Sequence, residues 1–463
     1  MGRESNNALL TYAEAAAFVA KRAERLARSK PATERVSLAT AAGRVLAETL
    51  RADTDQPPFA RSTRDGFACR AAEASGHRPL LVVGSTRAGD PPSGPLPRGA
   101  VWEIMTGAPV PRGADAVIML EHVESEHIES SDGASAPTIR LSPPRTIKPG
   151  ENIVPRGAQA HKGDALLPAG TLVGAAQIAL AASCGHTELT VYARPRVAIL
   201  STGDELVPIA AKPAPGQIRN SSAAMLAAMV IAAGGKPWIL PIARDTAKSL
   251  AAALARAATA DLLLITGGVS AGKFDLVEPA LARLGARFHF TGVRIQPGKP
   301  LVFAELPRRL PKGIQSQNSL RAPSFSASFA EKGGIAPLSK SRTKYPRQNQ
   351  NGTKCFGLPG NPVSSAVTFL LFAAPILAAL AGRSDLGPRF AQARLAADVK
   401  TKPGLTRFLP AACTFTGPVP KVKLVSWQGS GDLAAMALAN CYLVVPDDCD
   451  SLHAGTTVNI LLP

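Results

Sequence analysis

One stretch narrows the possible folds more than any other: Asp261-Leu-Leu-Leu-Ile-Thr-Gly-Gly-Val-Ser-Ala-Gly-Lys-Phe-Asp275. Its apolar run, Leu262 to Ile265, is short and bounded, as in a strand buried on both faces of a parallel sheet. The chain then breaks into Thr266–Gly272 and resumes at Asp275 with helical apolar spacing. Strand, glycine-rich loop and helix start follow one another. Glycines let backbone N–H groups approach an anion closely, and the helix dipole favours negative charge there, so a phosphate-bearing ligand is expected. The run Gly267-x4-Gly272-Lys273 matches the start of a P-loop, but Phe274 stands where that motif needs a Mg²⁺-binding hydroxyl. Adjacent Gly267 and Gly268 do not fit the dinucleotide fingerprint either. Taken alone, the stretch also reads as a plain tight turn in some α/β domain.

The neighbouring segments repeat the pattern. Arg196–Val207 reads as a strand ending in an acidic loop, and Asn220-Ser221-Ser222 caps a helix running to Ala233. A strand at Pro237–Ala243, Arg244-Asp245 and a helix at Thr246–Ala258 follow. These βα repeats predict a doubly wound sheet, which binds ligands beyond the carboxyl ends of its strands. Acidic residues fall there in succession: Asp204/Glu205, Asp245 and Asp275. Such a series suits a divalent cation or acid–base chemistry, with simple helix capping as the alternative. Further on, Cys355-Phe-Gly-Leu-Pro-Gly-Asn-Pro-Val-Ser-Ser365 supplies a second strand-to-helix anion site on the same edge. There Asn361 is expected to cap and Pro362 to take the first helical position.

Towards the N-terminus, residues 8–30 read as an amphipathic helix, Glu34–Leu38 as a short strand and Ala39–Glu48 as a helix. In Asp55–Ala68, the pair Asp65-Gly66 predicts a turn that exposes its carboxylate. Short β runs with Gly/Pro turns over 70–145 predict a small β domain. A helix at Gly174–Cys184 is expected to rejoin the N-terminal helices. After Leu386 the chain returns to short strands. The predicted architecture is multidomain α/β with β domains: a discontinuous helical linker domain (8–50 and 146–194), a small β domain (51–145), an α/β domain (195–385) and a C-terminal β domain (386–463).

Charge needs care, because 52 Lys and Arg against 34 Asp and Glu give +18. Residues 307–354 hold ten of those cations against Glu331 alone, so roughly half of the excess sits in one Ser-, Gln-, Asn- and Pro-rich segment without apolar period. That segment reads as a disordered insert. The remainder is mildly basic, which suits an anionic substrate, and no base-reading element accompanies it, so no nucleic-acid partner is expected. No apolar run is expected to reach the roughly 18–20 residues needed to span a bilayer, and residues 1–7 lack a signal peptide's apolar core. Six scattered cysteines without a CxxC pair predict reduced thiols in a cytoplasmic protein.

Seven segments are recognisable together and in order: Ser62-Thr-Arg-Asp-Gly-Phe-Ala68, Thr106-Gly-Ala-Pro-Val-Pro-Arg-Gly-Ala-Asp115, Gly150-Glu-Asn-Ile153, Ser201-Thr-Gly-Asp-Glu-Leu206, Thr266–Asp275, Pro297-Gly-Lys-Pro300 and Gly357-Leu-Pro-Gly-Asn-Pro-Val-Ser364. With them the chain resembles the molybdopterin molybdenumtransferase family, which inserts molybdate into adenylylated molybdopterin. The resemblance implies a molybdopterin-binding α/β domain, a C-terminal β-barrel and a homodimer. Its implied catalytic residues are Asp275, Asp245, Glu205, Asp65 (reaching across the dimer) and Lys299. Thr266, Gly267, Gly268, Ser270 and Gly272, with Pro359, Gly360, Asn361 and Pro362, would hold the pterin and phosphates, and Thr106 would also touch substrate. Lys299, Pro300, Ser364 and Ser430 would hold molybdate. Asp275, Asp245 and Glu205 would bind Mg²⁺. Implied partners are molybdopterin adenylyltransferase and molybdoenzyme acceptors.

The chain departs from the family pattern at three places. Gln296 replaces a Lys common before Pro-Gly-Lys, Gln159 replaces a carboxylate, and Pro410 replaces an Arg of the C-terminal domain. Arg294 and Arg407 lie near enough in sequence to compensate. A non-catalytic molybdopterin carrier or scaffold, a tungstate-preferring enzyme and, outside the family, a P-loop-type phosphotransferase using Lys273 are the alternatives.

Overall fold

In the computed structural model the described residues are 9–91, 93–129, 135–268, 276–307 and 352–463. The chain divides into two compact units. The larger comprises the chain up to Ala47, Gly170–Gly174 and Thr190–Pro463; the smaller comprises Glu48–Ala169 and Ala175–Leu189.

The larger unit is organised around a six-stranded sheet. Lys236–Ile239, Arg196–Ser201, Leu262–Thr266 and Thr353–Leu358 run parallel in that order. Val302–Leu306 and Arg287–Thr291 continue the sheet antiparallel. Alternate residues of the central strands feed different cores. Ile199, Leu262, Leu264 and Phe356 face the helices Tyr12–Ala27, Ser221–Ala232 and Pro362–Leu380. Leu200, Leu263, Ile265 and Cys355 face Ala247–Ala257 and Val277–Arg283. Helices on both faces explain why Leu262–Ile265 is apolar throughout rather than alternating.

Tyr12–Ala27 begins at a capping box. The Glu14 amide donates to the Thr11 hydroxyl at 3.2 Å, and the Thr11 amide donates to the Glu14 carboxylate at 2.8 Å. The helix expected at Ala39–Glu48 does not form. After a 3-10 turn at Leu38–Thr40, Gly43 adopts φ +72°, and Val45 and Leu46 enter β-bridges with Leu172 and Val191. Pairing of these two apolar residues overrides the local helical spacing.

One expectation about length is also corrected. Pro362–Leu380 is a 19-residue helix apolar enough to cross a membrane, but 83 % of its apolar window is buried within the protein. It is the core helix of the sheet. Its turn Phe369–Ala373 is π-helical just before Pro375, which can neither donate nor tolerate the regular preceding carbonyl.

The C-terminal strands close into a barrel. Thr406–Thr414 pairs with both Lys421–Leu424 and Cys441–Val445, and Phe390–Leu395 and Thr457–Leu461 complete the ring. A short helix, Leu433–Leu438, which the strand-like reading of this region missed, is capped by Asp432. In the smaller unit a six-stranded sheet has Gly66–Cys69 between Ala116–Met119 and Ala100–Ile104. Its core includes Phe67, Val101, Ile118 and Ile139. All six cysteines are free thiols.

The expected insert 307–354 lies, over 308–351, outside the described residues. Its last residues do not belong to it, because Thr353 and Lys354 begin the strand Thr353–Leu358. Lys354 is 1 % exposed and donates to the Gly352 carbonyl at 3.0 Å. Across the strand pair it faces Glu305, which also takes a 2.7 Å bond from Arg22 Nε. His289, 3.7 Å from the same carboxylate, packs against Phe18 and Phe303 with ring centroids 5.2 and 5.0 Å away.

Burial lowers the His289 pKa below its ordinary 6.5, with Glu305 acting in the opposite sense. The unfolded chain therefore binds a proton that folded His289 resists, and this residue's contribution to stability falls as pH drops below about 6.5. Urea midpoints measured at about pH 7.5 and about pH 5 should fall further for the wild type than for His289→Phe. Equal falls would show that His289 does not carry this dependence.

Candidate active site

Strand register sets the site. Ser201, Thr266 and Leu358 are level partners across three neighbouring parallel strands, so the loops that follow them leave the sheet side by side. Thr202 starts the first loop, its amide donating to the Thr266 carbonyl at 3.0 Å. Gly267 starts the second at φ +91°. A Cβ there would lie 2.3 Å from the Thr202 carbonyl oxygen, so no other residue fits without shifting the backbone. Gly360 of the third loop comes within van der Waals range of Gly267, with 3.5 Å between a Cβ added at Gly360 and the Gly267 Cα. Two glycine-bearing loops thus touch at the carboxyl edge of the sheet.

Carboxylates gather on the neighbouring side. Thr202 Oγ1 donates to Asp245 Oδ1 at 2.6 Å, which ties the loop after Lys236–Ile239 to the loop after Arg196–Ser201. The Asp245 amide points to Asp204 Oδ1 at 3.4 Å, and Arg244 lies 3.6 Å from the same oxygen. Glu205 is exposed, and its carboxylate folds back over Gly203. Ser270, Gly272 and Asp275 lie outside the described residues. Among the described residues no group of three His, Cys, Asp or Glu side chains is close enough to hold a metal ion. Of the expected Mg²⁺ ligands, Glu205 and Asp245 are described, both as exposed oxygen donors at adjacent strand ends. Thr202 was not among the residues expected to act. Its position directly after a buried strand, level with Gly267, is the signal that identifies it.

The third loop leads into the core helix at Pro362, as its sequence predicts, but the cap differs from expectation. Asn361 makes no side-chain capping bond; its Nδ2 donates instead to Ser430 Oγ at 2.7 Å. The Val363 amide is satisfied by the Ser430 carbonyl at 3.1 Å, so the barrel's Gly429–Asp432 turn covers this amide. Pro359 is buried, and Ser222 Oγ donates to the Gly360 carbonyl at 3.4 Å. Ser364, 4 % exposed, lies one turn before Thr368, whose hydroxyl donates to the Ser364 carbonyl at 2.7 Å.

Thr368 also positions the turn that carries Lys299. Gly298, at φ +114°, approaches so closely that a Cβ would lie 2.6 Å from Thr368 Cγ2. The turn closes through the Val293 amide and the Lys299 carbonyl at 3.0 Å, leaving the Lys299 side chain exposed and Pro300 half-buried. The Gly298–Thr368 contact therefore brings Pro297–Pro300 to the first turns of the helix bearing Ser364.

In the smaller unit Asp65 is exposed, as its turn predicts. Its carboxylate accepts from the Thr106 amide at 2.6 Å and from the Thr106 hydroxyl at 2.8 Å. These bonds, the amide's foremost, hold its pKa below the usual carboxylate value. Thr106 is occupied in holding Asp65.

Such a chain is of the doubly wound α/β class, with paired glycine loops at the carboxyl edge of the sheet, and it also carries a β-sheet unit and a closed barrel. Three family models match in order, the MoeA N-terminal region (domain I and II) over 10–185, the probable molybdopterin binding domain over 198–379 and the MoeA C-terminal region (domain IV) over 392–462. Molybdopterin molybdenumtransferase of a Nostoc species is 34 % identical over 360 residues, 76 % of this chain and 71 % of that protein. Its Bacillus subtilis counterpart is 32 % identical over 439 residues, covering 93 % and 90 %. The crystal structure of the molybdopterin biosynthesis MoeA protein from Pyrococcus horikoshii is similar with a TM-score of 0.72 at 26 % identity, covering 98 % of this chain and all of that one. The chain belongs to the molybdopterin molybdenumtransferase family.

Replacing Thr106 by Val removes the hydroxyl bond to Asp65 and leaves the amide bond. The Asp65 titration midpoint, followed by carboxyl-carbon NMR, should move up towards the ordinary aspartate value. An unmoved midpoint would mean that the hydroxyl contributes nothing to holding the anion.

Proposed function

We propose that this chain is a molybdopterin molybdenumtransferase that takes adenylyl-molybdopterin and molybdate to molybdenum cofactor with release of AMP. The observation that carries the reading is the contact between the Gly267 and Gly360 loops at the level edge of the sheet, beside the Lys299 turn. Touching glycine loops present backbone rather than side chains, which suits a ligand bearing adjacent phosphates. Thr266, Gly267, Gly268, Pro359, Gly360, Asn361 and Pro362 are proposed to seat the pterin and phosphates, with Ser270 and Gly272. Thr106 is proposed to act through Asp65.

Molybdate is a tetrahedral dianion and calls for a fixed cation with hydrogen-bond donors, for which we assign Lys299, Pro300, Ser364 and Ser430. Ser364 is the most enclosed of these and Lys299 the most open, so charge meets the oxyanion at the rim and donors further in. Cleavage of the adenylate phosphoanhydride builds charge on the leaving phosphate. Glu205, Asp245 and Asp275 provide oxygen donors of the kind a hard cation takes, and Mg²⁺ held there would neutralise that charge. The Thr202 hydroxyl fixes Asp245 in place, so that a ligand would meet a preorganised carboxylate.

We further propose a homodimer with Asp65 supplied across it, a four-part division into helical linker, small β domain, molybdopterin-binding domain and barrel, and a cytoplasmic location. Molybdopterin adenylyltransferase upstream and molybdoenzyme acceptors downstream are the partners this chemistry calls for.

AMP release from adenylyl-molybdopterin, measured at fixed Mg²⁺ with molybdate, with tungstate and with neither, tests the reading. Release stimulated by molybdate is expected. Binding of the adenylate without stimulated release would instead identify a carrier or scaffold, and stimulation by tungstate alone a tungsten enzyme. In the same assay Asp275→Asn should abolish metal-dependent turnover while adenylate binding persists. Full turnover by that variant would remove Asp275 from the proposed metal site.

A further inference from the structure

Thr202 is 4 % exposed, and its groups meet two different loops of the candidate site. Its backbone faces the glycine loop: the amide donates to the Thr266 carbonyl at 3.0 Å, and a Cβ at Gly267 would lie 2.3 Å from the Thr202 carbonyl oxygen. Its side chain forks. Oγ1 donates to Asp245 Oδ1 at 2.6 Å, while Cγ2 faces Gly268, where an added Cβ would lie 3.3 Å from it and 3.0 Å from Val277 Cγ2. Gly268, at φ +63°, is thus seated between the Thr202 methyl and the first residue of the helix Val277–Arg283. Asp245 is exposed, and its Oδ2 makes no hydrogen bond among the described residues.

Hydroxyl and methyl hang from one Cβ, so a single torsion places both. The bond to Asp245 selects the rotamer that keeps the methyl against Gly268, and the packing of that methyl in turn keeps the hydroxyl on Asp245. A buried hydroxyl needs an acceptor, but any backbone carbonyl within reach would satisfy that need. Here the acceptor is the exposed carboxylate of another loop, which water could solvate, and the bond occupies Oδ1 while leaving Oδ2 unbonded. Valine would fill the same volume with no acceptor required, and serine would keep the bond without the methyl. Threonine alone does both.

We propose that Thr202 is a positioning residue with two separable actions. Its hydroxyl holds Asp245 so that a divalent cation is taken through Oδ2, and its methyl and carbonyl hold the Gly267–Gly268 turn for the phosphate of the nucleotide. One side-chain torsion therefore links the cation subsite to the phosphate subsite. The inference rests on the proposed transferase reading for the identity of both ligands, and on the Thr202 contacts for the link between them.

Titration calorimetry on the full chain, with Mg²⁺ alone and with AMP in excess EDTA, separates the two actions. Thr202→Val keeps the packing and removes the hydroxyl, so Mg²⁺ affinity should fall about tenfold while AMP affinity is retained. Thr202→Ser keeps the hydroxyl and removes the methyl, so Mg²⁺ affinity should be retained while AMP affinity falls about fivefold. Asp245→Asn keeps an acceptor for Thr202 and Asp245→Ala does not, although both lack the charge. The former should bind AMP about fivefold more tightly. Losses that do not cross, whether the Thr202 variants match the wild type or each loses both ligands, would overturn the proposal and leave Thr202 as packing of the turn. Equal AMP affinity in the two Asp245 variants would overturn the link. A wild type that binds neither ligand would overturn the proposal and the transferase reading together. Crossed losses, with a wild type that shows no molybdate-stimulated AMP release, would support the link and overturn only the transferase reading.

Discussion

Everything at the candidate site depends on the register of three buried parallel strands. Because Ser201, Thr266 and Leu358 are level, the residues after them leave the sheet at the same height. A slip of one residue would turn every side chain to the opposite face and exchange the two hydrophobic cores. That slip is opposed from both sides, since alternate residues of each strand are fully buried in different clusters. Burying a leucine-sized side chain stabilises by roughly 1.5–3 kcal/mol, and each central strand buries several. Site geometry is thus set by the packing of strand residues behind the site, with Thr266 alone serving both the register and the proposed ligand site. The loops need only be short and glycine-bearing to meet, as Gly267 and Gly360 do.

The same logic explains what was legible in the sequence. Buried strands announce themselves as bounded apolar runs, and helices as capped periodic ones. Leu262–Thr266, Ser221–Ala232 behind Asn220, and Ala247–Ala257 behind Thr246 accordingly form within a residue or two of expectation. Local signals failed where a distant partner decides. The Ala39–Glu48 spacing looks helical, yet Val45 and Leu46 take extended partners far along the chain. Asn361 looks like a cap, yet Ser430 of the barrel draws its side chain away and satisfies the helix amide with a carbonyl. Lys354 reads as the end of a basic polar segment but is a buried strand residue opposite Glu305. Sequence neighbours show none of these partners, because each lies across the fold.

Of the candidate site, positions were more legible than roles. Gly267, Gly360, Glu205, Asp245 and the Pro297–Pro300 turn lie at the loops where motif and topology place them. What each polar group is bonded to was not legible. Thr106 spends its amide and hydroxyl on Asp65, and Thr202, unremarkable in sequence, fixes Asp245. Two substitutions that read as losses have different consequences. Pro410 lies where the long barrel strand passes from pairing with Cys441–Val445 to pairing with Lys421–Leu424, and its carbonyl still accepts from the Val425 amide. Gln296 is the acceptor that orients Arg407.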